Sequence, residues 1–122
     1  TKENEILVNE IAPRPHNSGH YTIEGCYTSQ FENAIRAILD LPLGSPKLIR
    51  GSASMVNLLG KREGSGVPTN VKELLLHKKA SLHLYNKKSS RPGRKMGHIT
   101  ALGDTQEISY NRAKTAAEAI KW

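Results

Sequence analysis

Apolar positions along the chain change their spacing several times. They form first a near-continuous β-branched run, then a helical repeat, then short runs of strand length, and finally a second helical repeat. Residues 5–11 (EILVNEI) predict a strand, stopped by Ala-Pro-Arg-Pro because proline donates no ladder hydrogen bond. Residues 13–21 follow as a polar, irregular loop. Phe31, Ala34, Ile35 and Ile38 recur at i, i+3, i+4 and i+7, with Ser29 and Glu32 in capping-box spacing before them and Leu41-Pro42 after them. That spacing predicts a helix with one buried face.

Residues 52–59 read as a second strand and residues 60–68 (GKREGSGVP) as a flexible surface loop, since three glycines and mixed charges cannot pack a core. A short helix is expected from Asn70, with the Asn70 side chain as its cap. Residues 81–85 and 96–102 predict the two strands of a hairpin with a long connection. A last helix, about 105–121, carries Ala113, Ala116, Ala117 and Ile120 at helical spacing behind Asp104 as its cap. Short strands interleaved with helices argue for an α+β or mixed arrangement.

A chain of 122 residues with 37% hydrophobic content can bury one small core, yet is shorter than most two-substrate enzymes. The single cysteine, Cys26, cannot form an internal disulfide, and no leader pattern opens the chain, so an intracellular, reducing setting is expected. No apolar run approaches the roughly 20 residues that span a bilayer.

The formal charge of +7 raises the question of nucleic acid, and its distribution bears on the answer. Lys78, Lys79, Lys87, Lys88, Arg91, Arg94 and Lys95 carry seven positive charges between His77 and Met96 with no acid among them, while eleven bases balance eleven acids elsewhere. A local excess fits a site for a small polyanion at least as well as a surface for a polymer. Aromatic residues are only 5% of the chain, and none follows Tyr85 in the basic tract, so no stacking platform for single strands is evident.

Candidate chemistry concentrates in residues 9–21 (NEIAPRPHNSGHY), where Glu10, Arg14, His16, Asn17, Ser18 and His20 crowd between prolines and a glycine. Polar density directly after an apolar strand is how a rigid element presents a site; an exposed polar turn is the plain alternative. Glu10 at a strand end suits a magnesium ligand or an ion pair with Arg14. His16 and His20 stand four apart, but Pro15 and Gly19 argue against the helix that zinc-binding spacing needs. Cys26 reads as a packing residue. The segment Arg91-Pro92-Gly93-Arg94-Lys95 suits a phosphate monoester, combining guanidinium forks, a point charge and a turn that exposes backbone donors, or else a solvated hairpin tip.

Residues 5–44 resemble the end of the ATP-grasp domain in the carboxyaminoimidazole ribonucleotide synthetases: a strand ending Asn-Glu, a Pro-Arg-x-His-Asn-Ser-Gly-His loop and a Ser-Gln-Phe-Glu helix, in that order. Residues 54–60 (SMVNLLG) and 82–100 (LHLYNKKSSRPGRKMGHIT) resemble the family's small C-terminal region. The Leu-Tyr-x-Lys-Lys-x-x-Arg form is similar to the synthetase half of fungal bifunctional phosphoribosylaminoimidazole carboxylases. The resemblance implies residues 1–50 as the C-terminal part of an ATP-grasp domain and 51–122 as a small β-rich subdomain with a terminal helix. It implies ATP-dependent carboxylation of aminoimidazole ribonucleotide with bicarbonate, in de novo purine biosynthesis in the cytoplasm, with ATP and magnesium as cofactors. By the same resemblance Glu10 is a magnesium ligand, and Arg14, His16 and Asn17 hold bicarbonate or carboxyphosphate. Ser18, Gly19 and His20 shape that pocket, and Lys87 and Arg94 grip the ribonucleotide's 5′-phosphate.

On this reading the adenine pocket, the phosphate-binding lysines and a second acidic ligand lie outside these residues. The isolated chain is therefore expected to be inactive, its partner being the remainder of the same enzyme. A homo-oligomer is expected of the full enzyme, and in the bifunctional form a mutase-type domain follows. Asn86 stands where the family pattern has glycine, Ala34 where many members have histidine, and Tyr27 where a smaller residue is common. The rival from another class is a non-catalytic module whose basic hairpin binds RNA or an acidic protein.

Overall fold

In the computed structural model, which describes residues 5–122, the chain runs through a 3-10 turn (Asn17–Gly19), α1 (Thr22–Gly25), α2 (Gln30–Ile38), β1 (Ser52–Leu59), β2 (Gly64–Ser65), α3 (Val71–Leu75), β3 (Ala80–Leu84), β4 (Ser89–Ser90), β5 (Lys95–Gly103) and α4 (Gln106–Ala119). The three long strands form an antiparallel sheet in the order β1-β5-β3, and β2 pairs with β4 in a separate two-residue ladder.

Register decides what each face of the sheet carries. Ile99 lies between Val56 and Leu82, and Gly97 between Leu58 and Leu84; one residue on, His98 lies between Asn57 and His83, and Thr100 between Met55 and Ser81. Because successive side chains point to opposite faces, one face is apolar and the other is polar. The apolar face makes the core: Leu58, Ile99 and Ala101 pack with Leu74, Ala113, Ala116 and Ile120, all buried. Small residues at 113 and 116 let α4 lie close to the sheet, and the buried Ser109 hydroxyl meets Ser52 and Ser54 at 3.0 and 2.7 Å. The polar face receives α1. A Cβ on Gly25 would come within 2.8 Å of the Ala53 Cβ, so only glycine allows that approach.

The predicted helix over 31–38 is present, and Ser29 caps it by accepting from the Glu32 amide at 3.2 Å. The strand at 52–59 and the paired strands near 81–85 and 96–102 form as expected. Five expectations are corrected. Residues 5–11 form no strand, because a ladder needs a partner and no described strand offers one. The loop at 13–21 is ordered by the 3-10 turn and the start of α1. The 60–68 loop contributes the short β2. Asn70 starts α3 from a left-handed backbone (φ 60°) without a side-chain cap. The cap of α4 is Thr105, which accepts from Ile108, since Asp104 turns instead to Arg50 at 2.7 Å.

The amphipathic face of α2 is not covered within the described residues. Phe31, Ile35 and Ile38 remain 40, 57 and 81% exposed, and Ile6 and Val8 of the extended segment are 99 and 85% exposed. No described helix is long and apolar enough to cross a membrane.

Candidate active site

The loop over 14–20 is held from within and from α2. His16 caps the 3-10 turn by accepting the Ser18 amide on Nδ1, which puts the proton of the neutral ring on Nε2, where it has no partner among the described residues. The Gln30 side chain then clamps the loop. Its Oε1 accepts from the His16 amide at 2.9 Å, and its Nε2 donates to the His16 carbonyl and to His20 Nδ1, both at 2.8 Å. Gly19 leaves room for this amide, because a Cβ there would lie 2.5 Å from Gln30 Oε1 and push the clamp aside. Thr22 completes the bracing by donating to the Gly19 carbonyl at 2.6 Å.

Asn17 joins this loop to the sheet. Its Nδ2 donates to Asn57 Oδ1 (2.9 Å) and to the Tyr85 hydroxyl (3.3 Å), and its Oδ1 accepts from Lys95 Nζ (2.9 Å). One bond thus comes from β1, one from the residue after β3 and one from the start of β5. Behind them the Tyr85 hydroxyl meets Nδ1 of the buried His98 at 2.9 Å. His98 stacks on His83 at 4.4 Å and lies 5.1 Å from His20, which itself stacks on Phe31. Glu24 of α1 bonds His83 Nε2.

Burial, and then the neighbouring His83 and His20, push His98 down to about 4, so its ring is neutral near pH 7. His20 is lowered too, first by burial and then by His83, His16 and Lys95. The Tyr85 phenol is raised by burial. A neutral His98 can accept the Tyr85 proton, which leaves Nε2–H buried without a partner among the described residues.

The second group of expected residues sits on the β3–β5 connection. Gly60 donates to the Arg94 carbonyl at 2.8 Å and accepts from Gly93 at 3.0 Å, and Gly93 takes the positive φ of 75° that the turn needs. Arg94 Nη1 bonds the Ser89 carbonyl and hydroxyl at 3.2 and 3.0 Å, while Lys87 is exposed beside a cleft of about 360 Å³ lined also by Gly66, Pro68 and Asn86. Asn86 has φ 51°, a left-handed position that asparagine tolerates, which gives the physical reason for glycine in the family pattern.

Among the described residues Arg14 donates to the adjacent Pro15 carbonyl alone and is exposed, so the alternative of an ion pair with Glu10 is not formed. Glu10 is exposed on the extended segment, and no group of three His, Cys, Asp or Glu among the described residues is arranged to hold a metal ion. Cys26 is buried and its thiol is pushed up by burial, as a packing residue should be.

Asn57, Tyr85, His83, His98 and Glu24 were not singled out from the sequence, and Lys95, read there as part of the phosphate-suited segment, turns to Asn17. The signal was present as period-two alternation: Ser81, His83 and Tyr85 alternate with Leu82 and Leu84, and His98 and Thr100 flank Ile99.

Fold and site together present an anion-suited loop and helix seated on one face of a small sheet that carries a basic connection. Family models match in both parts, the ATP-grasp domain over residues 1–31 and the phosphoribosylaminoimidazole carboxylase C-terminal domain over residues 53–112. The chain is similar to the N5-carboxyaminoimidazole ribonucleotide synthetase of Thermotoga maritima, with a TM-score of 0.89 and 54% identity over 99% of this chain and 34% of that one. It is also similar to the Aspergillus clavatus N5-carboxyaminoimidazole synthase solved with ADP and aminoimidazole ribonucleotide (TM-score 0.79, 41% identity, 96% of this chain and 32% of that one). The phosphoribosylaminoimidazole carboxylase of Schizosaccharomyces pombe is 50% identical over 111 residues, 88% of this chain and 20% of the relative. The chain belongs to the N5-carboxyaminoimidazole ribonucleotide synthetase family and spans between a fifth and about a third of the length of these relatives.

Proposed function

We propose that this chain supplies the carboxyphosphate and ribonucleotide sides of an ATP-dependent site that carboxylates the amine of aminoimidazole ribonucleotide. The observation that carries this reading is the Asn17 junction, which ties the Arg14–His20 loop to both ends of the connection that bears Lys87 and Arg94. Two anion sites joined in this way suit two anionic reactants of one reaction better than they suit a nucleic-acid polymer. The division of the chain near residue 50 belongs to the same reading.

In this site the Arg14 guanidinium offers a fork and His16 an Nε2–H donor to bicarbonate or carboxyphosphate. Asn17 acts through the shape of the loop, since both its amide hydrogens are already given to Asn57 and Tyr85. Ser18, Gly19 and His20 form the wall braced by Gln30. Lys87 and Arg94 take the 5′-phosphate. Glu10 has an exposed carboxylate and fits the one or two that magnesium takes alongside substrate phosphates. Magnesium bound there would neutralise charge on a transferring phosphoryl group. ATP contacts, a homo-oligomeric state, a following mutase-type domain and a cytoplasmic location in purine synthesis complete the proposal.

The test is calorimetric. Lys87→Ala or Arg94→Ala should weaken aminoimidazole ribonucleotide binding by about 1.5–3 kcal/mol, the range for hydrogen bonds to charged groups. Unchanged ribonucleotide affinity in both variants, with the fold intact, would remove the phosphate assignment.

A further inference from the structure

The Asn17 junction is built from residues that neighbour both ends of the site. Tyr85 precedes Lys87 by two residues, and Lys95 directly follows Arg94. Any shift of the basic connection that moves these residues is felt at Asn17, whose side chain has no further hydrogen to give. The Tyr85 hydroxyl is the middle member, taking a hydrogen from Asn17 and giving its own to His98 Nδ1. His98 is 2% exposed and walled in by His83 on β3 and by His20 at the end of the 3-10 turn, with Tyr85 at its Nδ1. The charged groups that face this cluster are Glu24 from α1 and Lys95 from β5. An unpartnered Nε2–H in such a place is costly, and the fold retains it together with the Tyr85 bond.

We infer that Tyr85, aimed by the buried His98, is a positioning residue that couples the 5′-phosphate end of the site to the bicarbonate loop through Asn17. The inference deepens the proposed function and rests on it for the identity of the two anions. The geometry of the clamp stands without it. When a phosphate draws Lys87 and Arg94 together, Tyr85 and Lys95 move with them and tighten on Asn17. By reciprocity, an anion held in the loop strengthens phosphate binding at the connection by the same factor.

The experiment uses the 122-residue chain, labelled on histidine and asparagine nitrogen, with ribose 5-phosphate as probe for the connection and phosphonoformate as probe for the loop. In the wild type, His98 Nδ1 should show the resonance of a hydrogen-bond acceptor, and saturating phosphonoformate should raise ribose 5-phosphate affinity by about fivefold, the low end of site-to-site coupling. Tyr85→Phe should abolish the acceptor signature and reduce the coupling to none, with the ribose 5-phosphate affinity measured alone unchanged. His98→Asn, which keeps an acceptor near the Nδ1 position, should preserve the coupling that His98→Leu loses. A structural role alone would lower stability in these variants without separating coupling from affinity. Coupling that survives in Tyr85→Phe, or equal coupling in His98→Asn and His98→Leu, would overturn the inference. If neither probe binds the wild type, the proposed anion sites fail, and the clamp is judged by the His98 and Asn17 resonances. Their indifference to Tyr85→Phe would overturn it independently.

Discussion

Acid should unlock the histidine cluster before it affects the exposed ion pairs, and the size of the effect follows from His98. Its folded-state value is about 4 against the ordinary 6.5, so the fold disfavours the charged ring. For a base lowered in this way, stability is complete above the unfolded value. It falls with pH from about 6.5, where the unfolded chain begins to take the proton, and levels off below about 4, where both states hold it. The gap is about 2.5 units, and at 1.36 kcal/mol each this amounts to about 3 kcal/mol. That is a large share of the 5–15 kcal/mol typical of a small domain. His20 is lowered as well and adds in the same direction, whereas the stability from Asp104, held down by Arg50, is complete above the usual aspartate range and is lost only as pH falls below it. Urea denaturation at pH 7 and at pH 4.5 measures the loss. His98→Asn removes the titration, so its stability should fall far less over the same interval, although it starts lower at pH 7. Equal pH dependence in the wild type and His98→Asn would refute the argument that burial of a neutral His98 organises this face.

Other predictions are smaller or more local. Thr105→Ala should cost about 1 kcal/mol in chemical denaturation through loss of the α4 cap, whereas Asp104→Ala should leave that cap intact. Ile99→Ala, at a fully buried position in the central strand, should cost about 2–5 kcal/mol, and a loss under 1 kcal/mol would mean the core is not where it is described. Gly19→Ala should displace the Gln30 clamp, visible as shifted His16 and His20 resonances with α4 unchanged. The uncovered face of α2 and the extended segment should drive concentration-dependent self-association in sedimentation, reduced by Ile35→Lys.

The sequence made the repeats legible wherever a segment finds its partner within the chain. The α2 cap at Ser29, the strand at 52–59 and the paired strands around the basic connection follow from local pattern, and the register that pairs them also sorts Ile99 and His98 to opposite faces. Residues 5–11 failed as a strand although their composition is right, because pairing is a property of two segments and only one is described here. The α4 cap was misassigned by one residue, since Asp104 and Thr105 are both good caps and Arg50, 54 residues away in sequence, draws off the first. The loop residues 14–20 were visible as a polar cluster, but their supports were not. Gln30, Asn57, Tyr85 and Lys95 reach that loop from a helix, two strands and the residue after a third, and no local spacing announces contacts 14 to 78 residues apart.

The central claim, that this chain is the carboxyphosphate and ribonucleotide part of a synthetase site, is tested most directly by grafting. This chain would replace the matching 34% of the Thermotoga maritima synthetase, to which it is 54% identical, and ADP release would be followed with and without aminoimidazole ribonucleotide. The account predicts ribonucleotide-dependent ADP release by the graft, none by the 122-residue chain alone, and loss of the graft's activity on Arg14→Ala. A folded graft that binds ATP yet releases no ADP in response to the ribonucleotide would contradict it.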